Sequence, residues 1–233
     1  MSKKVFLTIL IACTAISAMA VDLPKQGFGL QIGWAQPILR LNSPTSKDSL
    51  SNVTKLMGLK AGLIYDASYV AGFGSSMGIN YTFGTASTPW QRKNISFSES
   101  TQTFYHEVEV FVDWQYKFEV AKETYLMLYT GPTIQCGISL NKNFYERNEV
   151  TDEIHPTQVA YYTTDEPDKL LTRLNVTWGV GAGFQYKRYF VRGGYDFGLI
   201  NPYKNSDFQN GNHTRGRLDQ WSVKLGMYLW YEK

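Results

Sequence analysis

Cysteine and long hydrophobic runs are both scarce in this chain of 233 residues. There are two cysteines, Cys13 and Cys136, and the first lies in an N-terminal apolar segment, so no internal disulfide is expected to stabilise an exported chain. After that segment no stretch approaches about 18 uninterrupted apolar residues, and no transmembrane helix is predicted there. Stability must therefore come from burial and strand pairing, and any residence in a membrane from a barrel.

A large excess of charge of one sign is also lacking. The chain has 23 basic and 20 acidic side chains, and two of the basic ones, Lys3 and Lys4, precede the N-terminal apolar segment. A near-neutral balance gives no electrostatic basis for nucleic-acid binding. Only three histidines are present, and they are scattered without a recognisable spacing of metal ligands. We therefore expect no metal site, no cofactor and no nucleic-acid partner.

The N-terminal segment MSKKVFLTILIACTAISAMA predicts a secretory signal peptide over residues 1–20. Two lysines precede an apolar run, and the small-residue site Ala18-Met19-Ala20 predicts cleavage after Ala20. A retained anchor is less favoured because the run is short for a bilayer core about 30 Å thick. A lipoprotein site at Cys13 is less favoured because a better cleavage site follows. Residues 21–233 are then expected to form one domain.

Aromatic residues and glycine are abundant, and periodic helical segments are hard to find. The aromatic fraction is 15%, and there are 20 glycines. Alternation with a period of two indicates an all-β chain with eight candidate strands. In EVEVFVDWQYKF, residues 107–118, the apolar row ends in Trp, Tyr and Phe, and the other row carries most of the charges. The candidate strands lie near residues 28–35, 55–65, 72–83, 107–118, 125–140, 173–186, 189–199 and 220–231.

The predicted connections alternate in length along the chain. Three are tight, at 66–70, 119–123 and 187–188, and four are long and polar, at about 38–54, 85–102, 141–171 and 201–216. Short turns at one end and long loops at the other are typical of outer-membrane barrels. The sequence therefore predicts an eight-stranded antiparallel transmembrane up-and-down β-barrel with short periplasmic turns, long extracellular loops and both termini in the periplasm. A soluble sandwich is the alternative.

In such a barrel the apolar row of residues 107–118 faces lipid, and the charged row faces the interior. An interior of eight strands is just wide enough for side chains to fill. Four carboxylates and five cations are predicted to neutralise one another there, which favours an ion-paired plug over a narrow solute or ion pore. The predicted interior network consists of Lys60, Glu107, Glu109, Asp113, Lys117, Arg173, Arg192, Asp196 and Lys224.

The candidates for catalysis and ligand binding are weak. His106 lies near Ser98, Ser100 and Glu107 at the predicted outer rim, where a lipid-modifying hydrolase could place its residues, but the spacing matches no motif. No catalytic residue is therefore predicted. The acidic loop at about 141–171 could hold a divalent cation or a partner, although it lacks an ordered calcium-loop pattern.

Four short segments carry a resemblance to a known family. They are GLKAGL at 58–63, LYTGP at 128–132, WGVGAGF at 178–184 and YDFGLIN at 195–201. With these segments the chain resembles the small outer-membrane β-barrel family common in Bacteroidetes, described as PorT-like or porin-family proteins. The resemblance implies an eight-stranded barrel and no defined reaction.

The function expected from these observations is that of a non-enzymatic outer-membrane protein. It would have a structural, adhesive or accessory-subunit role, exerted through its extracellular loops or its barrel wall. The expected partners are outer-membrane lipid, both lipopolysaccharide and phospholipid, and other envelope proteins as complex subunits. A rim-located lipid-modifying hydrolase and a narrow pore are the alternatives.

Overall fold

The computed structural model describes residues 26–42, 52–70, 72–94, 96–160, 162, 171–202 and 215–232. The predicted signal peptide, residues 1–20, lies outside this described part. In the described residues no helix is long and apolar enough to span a membrane. The strands there are β1 (Gln26–Asn42), β2 (Asn52–Lys55), β3 (Met57–Val70), β4 (Phe73–Arg92), β5 (Phe97–Ala121), β6 (Thr124–Asn148), β7 (Ile154–Ala160), β8 (Leu174–Tyr186), β9 (Tyr189–Gly198) and β10 (Arg215–Glu232).

Eight of these strands close into a ring in which every pairing is antiparallel. The order is β10-β9-β8-β6-β5-β4-β3-β1, and β1 pairs with β10 from Gln26↔Glu232 to Asn42↔Arg215. The short strand β2 continues the line of β3 across Leu56, whose amide donates to the carbonyl oxygen of Pro37 at 2.9 Å. The ring confirms the predicted eight-stranded antiparallel barrel.

The two faces of the wall have opposite chemistry. On β5, Val110 and Val112 are 46% and 40% exposed on the outside, whereas Glu109, on the inside, is 3% exposed. The other wall strands repeat the pattern, with exposed Leu, Ile, Val and aromatic side chains outside and buried Gln, Asn, Thr and charged side chains inside. An apolar exterior around a polar interior is the arrangement that a barrel adopts in lipid.

Two apolar clusters close the interior. The lower cluster lies in the half nearest the tight turns and contains Ile64, Phe111, Met127, Phe190 and Tyr228. The mouth cluster lies at the opposite end, where Leu171 and Tyr162 pack against the wall residues Leu56, Tyr105, Leu140, Leu39 and Ala86. The buried charges therefore lie in a barrel that is packed near both ends.

The predicted turn at 66–70 is wrong, because β3 continues to Val70. The reversal falls instead at Gly72, whose φ of 88° suits glycine. The polar residue Asp66 resembles a turn residue in the sequence, but its side chain is buried and ion-paired inside the barrel.

The predicted loop 85–102 and much of the predicted loop 141–171 are also wrong, because strands occupy them. The ends of β4, β5 and β6 continue past the barrel wall and join β7 in a four-stranded outer sheet, defined here as residues 86–92, 97–104, 141–148 and 154–160. Its faces are rich in Ser, Thr, Asn and Gln, so no apolar row marked these strands. Pro89 and Pro156 lie in its two edge strands, where a missing N–H discourages pairing with another chain.

Candidate functional site

Three ion pairs in the barrel interior link strands that are not direct neighbours in the ring. Each pair joins buried side chains, and the nitrogen–oxygen distances are 2.7 to 3.1 Å. The pairs are Lys60–Glu109 at 2.7 Å, Arg192–Asp113 at 2.7 Å and Lys117–Asp66 at 3.1 Å. Because each charge has an opposite charge in direct contact, pairing offsets much of its desolvation cost.

The Lys60–Glu109 pair is embedded in a chain of amides. Asn80 lies between the two strands, donating to Glu109 Oε1 at 2.7 Å and accepting from Gln31 at 2.6 Å. Lys60 Nζ also donates to the side-chain oxygen of Gln220. This network connects β1, β3, β4, β5 and β10, so it ties together five of the eight wall strands.

Asp66 is a network member that the sequence analysis missed. Its carboxylate accepts from Lys117 at 3.1 Å and from the hydroxyl of Tyr228, while Lys117 also donates to Gln185 at 3.1 Å. The alternation of β3 could have revealed it, because Asp66 follows Ile64 on the inward face. Its assignment to a turn hid that signal.

The remaining predicted interior charges are not ion-paired within the described part of the chain. Glu107 accepts a hydrogen bond from the Tyr105 hydroxyl, and Lys224 lies 5.1 Å from the centre of the Phe111 ring. Asp196 points inward beside Gly179, where an added Cβ would lie 2.5 Å from its Oδ1, so a larger residue at position 179 would require the Asp196 side chain to move.

The predicted place of Arg173 in the interior is wrong. It directly precedes β8 at the barrel mouth, where the wall ends, and its side chain is exposed. Its guanidinium donates to the main-chain oxygen of Tyr162 at 3.0 Å. Arg173 therefore attaches the Tyr162 region to the rim and does not neutralise an interior carboxylate.

The residues considered for a rim hydrolase are not brought together. His106 faces outward, with its Nδ1 2.5 Å from the Tyr81 hydroxyl, whereas the neighbouring Glu107 faces the interior. Ser98 donates to the Glu149 carboxylate, and Ser100 donates to the main-chain oxygen of Thr88 at 2.8 Å. In the described ranges no group of three or more His, Cys, Asp or Glu side chains could hold a metal ion.

A second polar cluster, absent from the sequence predictions, lies on the outward face near the rim. It contains Asp219 of β10, flanked by Arg40 and Arg217, which are register partners on β1 and β10. Both arginines fall in or beside segments that the sequence predicted as loops. We call Arg40 and Arg217 the rim arginine pair.

No protein-family model matches this sequence, and no curated protein matches it. Among solved structures, the chain is similar to the attachment invasion locus protein Ail of Yersinia pestis (12% identity, TM-score 0.37, covering 88% of this chain and 99% of that one). It is also similar to Neisserial surface protein A (12%, 0.39, 87% and 97%) and to the outer membrane enzyme PagL (12%, 0.40, 84% and 99%). At these sequence identities and TM-scores, the similarity does not assign the function of any of the three proteins to this chain. The chain's own closed ring, apolar exterior and polar interior define a transmembrane β-barrel of the outer-membrane type.

Proposed function

We propose that this chain is an integral outer-membrane barrel without enzymatic activity, which serves as a structural, adhesive or accessory-subunit protein through its outer sheet. The observation that carries this proposal is an interior packed near both ends, combined with an ordered sheet that continues beyond the wall. We propose the orientation from the lengths of the connections, because outer-membrane barrels have short periplasmic turns and long extracellular segments. The tight turns and both termini then lie in the periplasm, and the outer sheet lies outside the cell.

The packed interior supports a role that does not involve transport. A solute moving along the barrel axis would meet the mouth cluster and then buried ion pairs that alternate with residues of the lower cluster, as Phe111 does between Glu109 and Asp113 on β5. Opening a path would separate charges that are buried against one another, which is strongly unfavourable.

The outer sheet supports a role in binding. Its strands are joined by main-chain pairing and by side-chain contacts such as Thr88–Thr101 at 2.6 Å between the hydroxyl oxygens, so it is a rigid platform above the barrel. Pro89 and Pro156 oppose strand addition at its two edges, which leaves its two faces as the accessible surfaces. Surfaces held on a rigid scaffold are where binding is expected.

The positions of His106 and its neighbours support the proposed absence of enzymatic activity. Adjacent strand residues point to opposite sides, so Glu107 cannot orient His106. The Tyr81 hydroxyl already occupies Nδ1 of His106, which leaves that nitrogen without an acidic partner.

A co-purification experiment tests the proposed role of the outer sheet. In one variant, residues 143–158 are replaced by an Asn-Gly turn that joins Lys142 to Val159, which are register partners. After gentle detergent extraction, the natural chain should retain envelope proteins that this variant loses. A Val150→Ser chain, changed only at the exposed β6–β7 turn, should behave like the natural chain. Identical sets of captured proteins from all three chains would contradict the proposal.

The proposed orientation predicts which epitope tags are accessible on intact cells. A tag inserted after Val150, which is 80% exposed in the turn between β6 and β7, should be detected by antibody without permeabilisation. A tag after Lys233 should be detected only once the outer membrane is permeabilised. The reverse pattern would show that the barrel is inserted the other way.

The packed interior predicts that the protein does not conduct. In planar bilayers the purified barrel should give no steady single-channel steps, while a general porin added to the same bilayer shows that insertion works. Steady steps that disappear when the lumen is blocked would contradict the sealed interior and favour the narrow-pore alternative.

A further inference from the structure

The rim arginine pair is held by a carboxylate that is already saturated. Asp219 is 0% exposed and accepts the Nε–H of Arg40 at 3.0 Å and of Arg217 at 2.8 Å. It also accepts the Tyr195 hydroxyl at 2.8 Å and the main-chain N–H of Gly198 at 3.0 Å. Four donors thus fix this one carboxylate, and both guanidinium groups are oriented by it.

The two guanidinium groups keep most of their donors. Each contacts Asp219 through Nε, Arg40 also interacts with the Tyr195 hydroxyl, and their side chains are 45% and 46% exposed. Within the described ranges Asp219 is the only carboxylate that pairs with either arginine, so the cluster carries one net positive charge. With Nε on Asp219, the two Nη groups of each guanidinium remain as a fork that suits the paired oxygens of a phosphate.

The position of the pair on the wall indicates the depth at which it lies. Toward the rim both outward rows change from aliphatic to aromatic and end in arginine, although on β1 Gln36 and Ile38 lie between the aromatic residue and Arg40. On β10 the row is Leu225, Val223, Trp221, Asp219 and Arg217, and on β1 it is Leu30, Ile32, Trp34, Gln36, Ile38 and Arg40. Aromatic girdles mark the membrane interfaces of such barrels. The arginines lie on the rim side of these aromatic residues, and we therefore place the two guanidinium groups at the level of the lipid headgroups.

We propose that the rim arginine pair binds the phosphate group of a phosphorylated lipid in the outer leaflet. This inference rests on the proposed function, because it requires the barrel to be inserted with this rim outside. A lipid is favoured over free phosphate because the site continues into an apolar surface. The Tyr195 ring packs edge-on against the Trp221 ring, with centroids 4.6 Å apart, directly below the arginines. Sugar and acyl portions of a lipid would cover that surface, and a free anion would not.

The probe is lipid A carrying two phosphates, titrated into the full chain in zwitterionic micelles, with binding measured by native mass spectrometry. The Arg40→Gln/Arg217→Gln chain should bind it at least about tenfold more weakly, because charge-assisted hydrogen bonds are lost. The Arg40→Lys/Arg217→Lys chain keeps the charge without the fork and should be intermediate. Arg173→Gln removes another exposed arginine near the mouth and should leave binding unchanged.

Two ligand controls separate the sources of phosphate. Dephosphorylated lipid A should bind the natural chain as weakly as diphosphorylated lipid A binds the double glutamine chain. Millimolar inorganic phosphate should compete poorly. Equal binding by the natural and double glutamine chains, or equal binding of both lipids, would overturn the inference, and full competition by inorganic phosphate would replace the lipid with a free anion.

Failure of this site differs from failure of the proposed function. A chain that does not migrate differently on a gel with and without boiling, or does not float with phosphatidylcholine vesicles, is not an inserted barrel, and the proposed function fails. If the chain passes both tests but shows no preference for phosphorylated lipid, only the proposed phosphate site is rejected and the proposed function stands.

Discussion

Replacing Val110 by arginine should lower the free energy of unfolding by about 2–4 kcal/mol, the range for a cation on the lipid face near the midplane. Val110 is 46% exposed on the outward face of β5, between the cross-strand neighbours Ile79 and Ile134. Both of these neighbours are aliphatic and offer a guanidinium group no acceptor, so the cost comes from its desolvation. The measurement is reversible unfolding of the purified barrel in lipid vesicles.

The control is the same change at Val150, which is also exposed but lies in the β6–β7 turn of the outer sheet. Val150→Arg should change stability by no more than about 0.5 kcal/mol, as surface substitutions usually do. A neutral Val110→Arg beside a neutral Val150→Arg would mean that water, not lipid, covers this side of β5, and the soluble-sandwich interpretation would return.

The number of wall strands and their two faces could be predicted from the sequence because side chains alternate with a period of two. In residues 107–118 that alternation separates the valine row from Glu109 and Asp113, and the structure places the two rows on opposite sides of the wall. This signal is local, so it needs no knowledge of neighbouring strands.

Ion partners could not be predicted, because they depend on register and strand tilt. The sequence predicted that the interior charges neutralise one another but not which of them pair, and the partner of Glu109 is Lys60, two strands away. The side chains reach each other across Asn80 of the strand between them. No pattern within either strand encodes that geometry.

The outer sheet and the rim arginine pair could not be predicted for a different reason. The outer sheet is rich in polar residues such as Thr88 and Thr101, and its exposed apolar residues, among them Trp90 and Phe144, do not alternate along a strand, so main-chain pairing alone reveals the strands. Arg40 and Arg217 are far apart in sequence and become neighbours only through the pairing that closes the ring. Both features lie beyond the lipid-facing segments. There a strand no longer needs apolar side chains on one face and polar side chains on the other.

Removing the charge of Glu109 while its partner remains should be among the most destabilising single changes in this barrel. Glu109→Gln leaves Lys60 buried beside the neutral oxygen of Gln220 and without its carboxylate. Breaking a buried pair in this way costs about 3–5 kcal/mol. The matched change at an exposed pair, Glu99→Gln beside Lys93, should cost no more than about 1 kcal/mol, because water solvates the remaining charge.

A second substitution distinguishes a true pair from two independent sites. Lys60→Met removes the remaining charge while keeping an apolar side chain of similar length, so the Glu109→Gln/Lys60→Met chain should recover part of the loss seen in Glu109→Gln. The coupling energy from this double-mutant cycle, measured by unfolding in vesicles, should exceed about 1 kcal/mol for residues in direct contact. Combining Glu109→Gln with Lys117→Met, whose partner is Asp66, should give no such recovery. If Lys60→Met and Lys117→Met recover the same amount, the interior responds only to its total charge, and the specific Lys60–Glu109 contact does not stabilise the barrel.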